Sequence, residues 1–356
     1  MRLLSNNVYI SDIEKAADCG INWNKLKDSS IVISGATGLI GSFLIDTVMY
    51  KNSHGGLNCT VYALGRSVSK AEKRFSEYLE NDCFKFVQCD ICKPETIAVD
   101  GDVDYVFHAA SNTHPVAYAS DPIGTITVNV IGLQSLLEFA RLHNVKRFLF
   151  ASSNEIYGEN RGDCEKFDED YCGYINSNTL RAGYPESKRV SEALCQAYIK
   201  QYGMDIVIPR LTRSFGATML GTDTKAVSQF IKNGVHREDI ILKSKGNQFY
   251  SFTYVPDAVT GVLYCLTEAV CGESYNISTE LCDITLKDLA ELIADYAGTK
   301  VIFDIPNETE AMGFSKVTKA ILDSTKLQAI GWKSCFDIKT GIAHTIEIIR
   351  AVEGLA

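Results

Sequence analysis

Of the 17 tyrosines, two have a lysine four residues later, Tyr184…Lys188 and Tyr296…Lys300. In a helix this spacing puts both side chains on one face. The second pair fails, because Gly298 falls before Lys300 and should already have ended the helix. Tyr184-Pro-Glu-Ser-Lys188 opens a good helix, with Pro185 in its first turn. A lysine ammonium beside a phenol favours the phenolate and lowers its pKa from about 10 towards neutrality. Such a tyrosine can take a proton from a sugar hydroxyl while hydride leaves the same carbon for a nicotinamide.

Upstream stands Ala151-Ser-Ser153-Asn-Glu155-Ile-Tyr157-Gly158. Ser153 can donate its one hydrogen bond to a substrate oxygen or to Tyr184, or it can simply cap a loop. A second chemistry is written in Gly35-Ala-Thr37-Gly38-Leu39-Ile40-Gly41, which follows a β-branched run and precedes an apolar stretch. Gly35 permits a tight turn, Gly38 lets the backbone approach a pyrophosphate, and Gly41 lets a helix pack closely on a strand. The helix N-terminus adds unpaired N–H groups and the positive end of its dipole. Without a ligand the same residues would be a glycine-rich turn.

These groups need a scaffold. Short apolar runs predict strands over 30–34, 60–64, 85–88, 105–108, 147–151 and 205–208, with helices over 42–50, 125–142 and 185–202. Alternation of strand and helix implies βαβ units, hence an α/β Rossmann-type doubly wound parallel sheet. A polar, helical extension precedes it. The pattern turns irregular beyond residue 211, with helical segments at 226–232, 257–269 and 286–297. We therefore expect a nucleotide-binding domain over 1–211 and a smaller mixed α/β substrate-binding region over 212–356, with about 252–270 returning to the core. Ligands of such sheets sit at the carboxyl ends of the strands, where Ser153 would lie.

The position after the second strand discriminates between cofactors. Here Val61-Tyr-Ala-Leu64 runs into Gly65-Arg66-Ser67, with no acid. Arg66 can fork onto the 2′-phosphate of NADP, or it is a solvated surface arginine. The expectation is NAD(P), leaning to NADP.

Composition bounds the alternatives. At 356 residues the chain is long enough for two domains or one with a cap, at about 150 residues each. Against 44 acidic side chains stand 35 basic ones, a net charge of −9, which argues against nucleic acid as main partner. No uninterrupted apolar run approaches the roughly 20 residues of a membrane span, and the N-terminus lacks a secretion signal, so a cytoplasmic protein is expected. Twelve cysteines are too few for a disulfide scaffold. Cys89 and Cys92 have metal spacing but no further ligands nearby, so we expect reduced thiols and no metal.

Together these motifs resemble the extended short-chain dehydrogenase/reductases, in particular the NAD(P)-dependent nucleotide-sugar epimerase/dehydratase family. The resemblance runs from about residue 29 and rests on the Gly35/Gly38/Gly41 loop, Asp90-Ile91, His108-Ala-Ala-Ser111, Asn129, Ser153, Tyr157-Gly158 and Tyr184…Lys188. Phe252-Thr-Tyr-Val-Pro-Asp257, Gly272-Glu-Ser-Tyr-Asn-Ile277 and Gly331-Trp332-Lys333 look like its later signatures. It implies that Asp90 and Ile91 flank the adenine. Ala109, Ala110 and Ser111 would line the pyrophosphate and ribose, and Asn129 would steady the active-site backbone. Ser153, Tyr184 and Lys188 would form the oxidoreductase triad, with Lys188 also on the nicotinamide ribose. The substrate would be a nucleotide-diphosphate sugar, oxidised transiently at C4 and then dehydrated or epimerised. Reduction of a keto-sugar by NADPH is the alternative.

Glu155 occupies a place where family dehydratases and decarboxylases carry glutamate. It can take the C5 proton, or merely pair with a loop arginine. Three departures stand out: Asn154 in place of an acid, Tyr250 where many relatives have arginine, and Arg213 where they commonly have asparagine. The loss at 250 argues against uronate decarboxylation. Arg213 can restore the charge from a new position, or it is an ordinary ion-pair partner. Arg210 and Asn154 are further substrate-side candidates. Family members commonly pair the helices around 125–142 and 185–202 into a homodimer, which Leu194, Ala197 and Tyr198 would serve unless they face inward.

Overall fold

In the computed structural model, which describes residues 2–113, 115–305 and 318–355, the run Ser30–Ser34 forms β1, buried along its whole length. Both faces are covered, which is why this strand reads as a continuous apolar run. Around it lie β2 (Thr60–Gly65), β3 (Phe84–Gln88), β4 (Tyr105–His108), β5 (Arg147–Phe150), β6 (Ser152–Ser153) and β7 (Ile206–Leu211). After β8 (Arg213–Phe215), β9 (Ile240–Leu242) and β10 (Phe249–Tyr254), β11 (Ser274–Ile277) returns to the far edge. The sheet order is β11-β7-β5-β4-β1-β2-β3, with β6 beside β7 and every pairing parallel. The expected α/β class and doubly wound parallel sheet are found.

The helices are α1 (Asn7–Ala17), α2 (Leu39–Gly55), α3 (Val68–Phe75), α4 (Pro115–Ser120), α5 (Pro122–Leu142) and α6 (Gly183–Tyr202). Asp121 caps α5 by accepting from the Gly124 N–H, and Pro122 takes the first helical position. The left-handed Gly203 ends α6. α5 is long and apolar enough to cross a membrane, but half of its most apolar window is buried inside the protein. Tyr198 on α6 is buried and donates to Glu138 on α5 at 2.5 Å, whereas Leu194 is half-buried and Ala197 exposed.

The remaining helices are α7 (Ala226–His236), α8 (Val255–Thr267), α9 (Leu286–Ala297), α10 (Thr325–Ala329) and α11 (Ile338–Glu353). With β12 (Asp283–Thr285), β13 (Val301–Phe303) and β14 (Lys319–Ala320), they build two small sheets, β12-β10-β14 with β8 on β10, and β13-β9. α8, buried at all thirteen positions, lies against α2 and β7. Chain beyond residue 211 thus re-enters the first layer through α8 and again through β11.

The N-terminal extension is part of the core. The Tyr9 phenol on α1 donates to Asp46 on α2, which also pairs with Arg74 on α3. One turn later Asp12 accepts from Tyr254 at 2.5 Å and meets His344 Nδ1 on α11 at 2.9 Å. Cys19 and Cys335 bring their sulfurs to 2.8 Å, both as free thiols.

Candidate active site

The glycine loop leaves β1 with Gly35 at φ +71°, in the left-handed region. A Cβ there would lie 2.8 Å from the Ala109 carbonyl carbon and the Ala110 nitrogen, so the loop is pressed onto the exit of β4. A Cβ on Gly41 would lie 2.5 Å from the Gly35 carbonyl oxygen. Gly38 is the N-cap of α2 and brings no side chain, so the N–H groups of Leu39, Ile40 and Gly41 lack a side-chain cap. A narrow backbone cradle at an uncapped helix N-terminus fits a pyrophosphate. Thr37, Leu39 and Ile40 are half-buried around it, and Thr218 donates to the Leu39 carbonyl at 2.8 Å, bringing the second region against the loop.

Along the carboxyl ends of neighbouring strands, Arg66 is exposed just beyond β2. Asp90 accepts from the Cys92 N–H at 3.1 Å, and Ile91 is buried against Gly132 of α5. Ser111 donates to Asn129 at 2.8 Å, and Asn129 donates to Ser187 at 2.9 Å. Asn129 was expected to steady backbone. Its side chain links Ser111 after β4 to Ser187 on α6, which in turn donates to the Tyr184 backbone carbonyl at 2.7 Å.

Ser153, Tyr184 and Lys188 come together, each under a tenth exposed. Ser153 reaches Tyr184 through a hydrogen bond that favours the phenolate. Lys188 departs from expectation. Its Nζ donates to the Ala151 carbonyl at 2.8 Å and stands 6.0 Å from the centroid of the Tyr184 ring. Burial raises the Tyr184 pKa, the Glu155 carboxylate raises it further, and Ser153 and Arg181 oppose them. Lys188 itself is lowered by burial to about 7. The predicted lowering of Tyr184 by Lys188 is thus not found in the free protein, where desolvation is the largest influence and Lys188 is not among the groups that act on the phenol. His108, on the adjoining strand, is held neutral by the same burial, with its pKa lowered to about 3.

Glu155 meets Arg181 at 2.7 Å, the loop-arginine pairing that the sequence left open. Arg181 also lies over the Tyr118 ring, 4.9 Å from its centroid, and Tyr118 stacks on Tyr184 at 4.9 Å. Neither residue was anticipated. Arg181 could have been found, since it lies three residues before Tyr184. Tyr118 sits on the one-and-a-half-turn helix α4, too short to show a periodicity.

Two arginines part company. Arg210 was expected on the substrate, but it forks onto Glu192 at 2.7 and 3.0 Å and also donates to Tyr157 and the Glu169 carbonyl. Its guanidinium is fully engaged in joining β7 to α6. Arg213 makes no such pair. Its Cζ lies over Tyr250, 3.7 Å from the ring centroid, and its Nη1 is shielded from solvent without a hydrogen-bond partner among the described residues. Asn154 is buried beside Glu155.

A family model described as the NAD dependent epimerase/dehydratase family matches residues 31–278. Among curated relatives, UDP-glucuronic acid decarboxylase 1 of Xenopus tropicalis is 29% identical over 320 residues, covering 90% of this chain and 72% of its own. A solved dTDP-glucose 4,6-dehydratase from Streptomyces venezuelae, with NAD bound, superposes with TM-score 0.79 at 22% identity, over 91% of this chain and 98% of its own. A UDP-glucose 4-epimerase from Thermotoga maritima, with UDP-glucose, gives 0.78 at 22%, over 91% and 99%. At these identities the structural likeness speaks for the fold.

Proposed function

Because this chain belongs to the NAD dependent epimerase/dehydratase family, an enzyme family of the extended short-chain dehydrogenase/reductase type, we propose that it dehydrates or epimerises a nucleotide-diphosphate sugar through transient oxidation at C4. The observation that carries this reading is the meeting of Ser153, Tyr184 and Lys188 beside a glycine loop fit for a pyrophosphate, with Glu155 within electrostatic reach of Tyr184.

The dinucleotide would rest on Gly35, Gly38 and Gly41, with Asp90, Ile91, Ala109, Ala110 and Ser111 along it and Lys188 at its nicotinamide end. When bound, it accepts hydride from the sugar carbon. Tyr184 removes the proton from the C4 hydroxyl oxygen, and Ser153 donates to that same oxygen and orients it. Oxidation of C4 to a ketone makes the C5 hydrogen acidic, and Glu155 takes it; in dehydration that proton leaves with the C6 hydroxyl as water, and in inversion a proton returns to the opposite face of C5. Arg181 holds the Glu155 carboxylate in place. A glutamate base on C5 serves dehydration or C5 inversion, whereas loss of carbon dioxide from a 4-keto uronate needs no base. Arg66, with no acid beside it at the end of β2, supports NADP as the preferred cofactor.

A second reading, uronate decarboxylation, is favoured by the curated relatives and by Arg213. Incubation with a panel of nucleotide sugars, with products followed by mass, separates the readings: loss of water, loss of carbon dioxide, or an isomer at unchanged mass. Loss of carbon dioxide alone would overturn the proposal in favour of the second reading, and absence of all three would refute both. Ile123, Ile126, Ile131 and Val190 are 78%, 44%, 44% and 50% exposed on α5 and α6, which supports a homodimer on this pair, to be checked by light scattering.

A further inference from the structure

Below the cleft, Ser153 on β6 is paired in register with Leu211 on β7. Glu155 lies two residues beyond Ser153, and Arg213 lies two residues beyond Leu211. Parallel register therefore places Arg213 in the same layer as Glu155, above the carboxyl ends of the strands. Electrostatics agree, since Glu155 and Arg181 both act on Arg213. β8 is pinned next to β10 by the pairing of Arg213 with Phe252, and by Thr212 donating to the Ser251 carbonyl at 2.7 Å. This geometry sets the guanidinium carbon 3.7 Å over the centre of the Tyr250 ring.

A guanidinium carries five N–H donors, and burying one without a partner is costly. Arg213 has no ion pair among the described residues, and burial lowers its pKa. Stacking on Tyr250 satisfies its face but none of its in-plane donors, and Nη1 stays orphaned. The Glu155 carboxylate is already bonded to Arg181. A planar fork seated on an aromatic ring and unpaired beside the reacting groups matches a tetrahedral or planar oxyanion.

We propose that Arg213, seated on Tyr250, is the receptor for an anionic group of the substrate, and that a β8 guanidinium here does what an arginine at position 250 of β10 could otherwise do. The inference rests on the nucleotide-sugar reading above and specifies how this chain grips that substrate. Two sources share the required chemistry, the diphosphate and a C6 carboxylate of the sugar.

The test is calorimetric titration of cofactor-loaded protein with UDP, UDP-glucose and UDP-glucuronate, for the wild type, Arg213→Asn, Arg213→Lys and the double variant Arg213→Asn with Tyr250→Arg. Arg213→Asn should weaken binding about 10- to 100-fold, the range for one charge-assisted partner. Arg213→Lys should recover only part, having lost the fork. The double variant should regain most of the affinity, because the two side chains already touch. Equal losses on all three ligands assign the diphosphate, and a loss confined to UDP-glucuronate assigns the carboxylate. Unchanged affinity of Arg213→Asn for all three would overturn the proposal. Cofactor affinity, measured in parallel, should stay at the wild-type value and reports that the variants are folded. Wild-type turnover of any nucleotide sugar tests the underlying reading separately.

Discussion

The Lys188 Nζ is bound to the Ala151 carbonyl at 2.8 Å, on the strand side of the site, 6.0 Å from the centroid of the Tyr184 ring. The amine is therefore held by the scaffold before any ligand arrives, at the expense of burying a cation. Its pKa falls from 10.5 to about 7. Below about 7 both the native and unfolded chains carry this proton, and the cost of burying it is paid in full. Between about 7 and 10.5 the native state sheds it first, so stability rises with pH. Lys188→Met should abolish that rise. The gap between variant and wild type in denaturant melts should favour the variant near pH 7 and shrink towards pH 10.5. Identical slopes in the two proteins would contradict this account.

Tyr184→Phe removes the proton acceptor while keeping the ring that stacks on Tyr118. Turnover should fall by about 10² to 10⁴. Cofactor affinity, followed by fluorescence titration, should remain near that of the wild type. Retained turnover would remove Tyr184 from the mechanism.

Glu155→Gln separates the two halves of the proposed reaction. Oxidation at C4 needs Tyr184 and Ser153 but not this carboxylate. Reduced cofactor should then build up on the protein, visible in its absorbance band, while product formation drops by about 100-fold or more. If product still forms at the wild-type rate, Glu155 is only the partner of Arg181.

Arg66→Asp tests cofactor choice. The wild type should bind NADP more tightly than NAD, and the variant should reverse that order. Equal affinities in the wild type would make Arg66 a solvated surface residue.

Asp12→Ala leaves the buried Tyr254 hydroxyl without its acceptor, at a cost of about 2 kcal/mol in unfolding experiments. Part of the loss depends on pH. The hydrogen bond to Asp12 raises the His344 pKa above 6.5. That contribution is full below about 6.5 and fades as pH rises through the higher native value. The variant should therefore lose more on the acid side than the alkaline side.

Much of the framework could be read from residue order. Strand β4 lies at 105–108 and helix α9 at 286–297, as their apolar patterns indicate, and Gly298 ends α9 before Lys300. Buried parallel strands and glycine punctuation are local signals, so local reading finds them. The signal for α11 is also present, in the Asp337 cap and the spacing of Ile338, Ile342 and Ile346, yet it follows an irregular stretch that hides it. Charge pairing was far less accessible. Arg210 and Arg213 are three residues apart and look alike, but only Arg210 finds Glu192, a residue on another element. The direction taken by Lys188 depends equally on where a backbone carbonyl ends up in space.

Helix α1 has partners made far apart in synthesis. Its Tyr9 can find Asp46 almost at once, whereas Asp12 must wait for His344, 332 residues later. At 5 to 20 residues per second that interval is roughly 17 to 66 s. On a ribosome, α1 would sit half-docked on the nascent sheet for most of that time, its second face exposed to chaperones and to neighbouring chains. Variants that weaken the Tyr9 anchorage are therefore expected to lower the yield of folded protein in cells more than they lower the stability of the finished molecule.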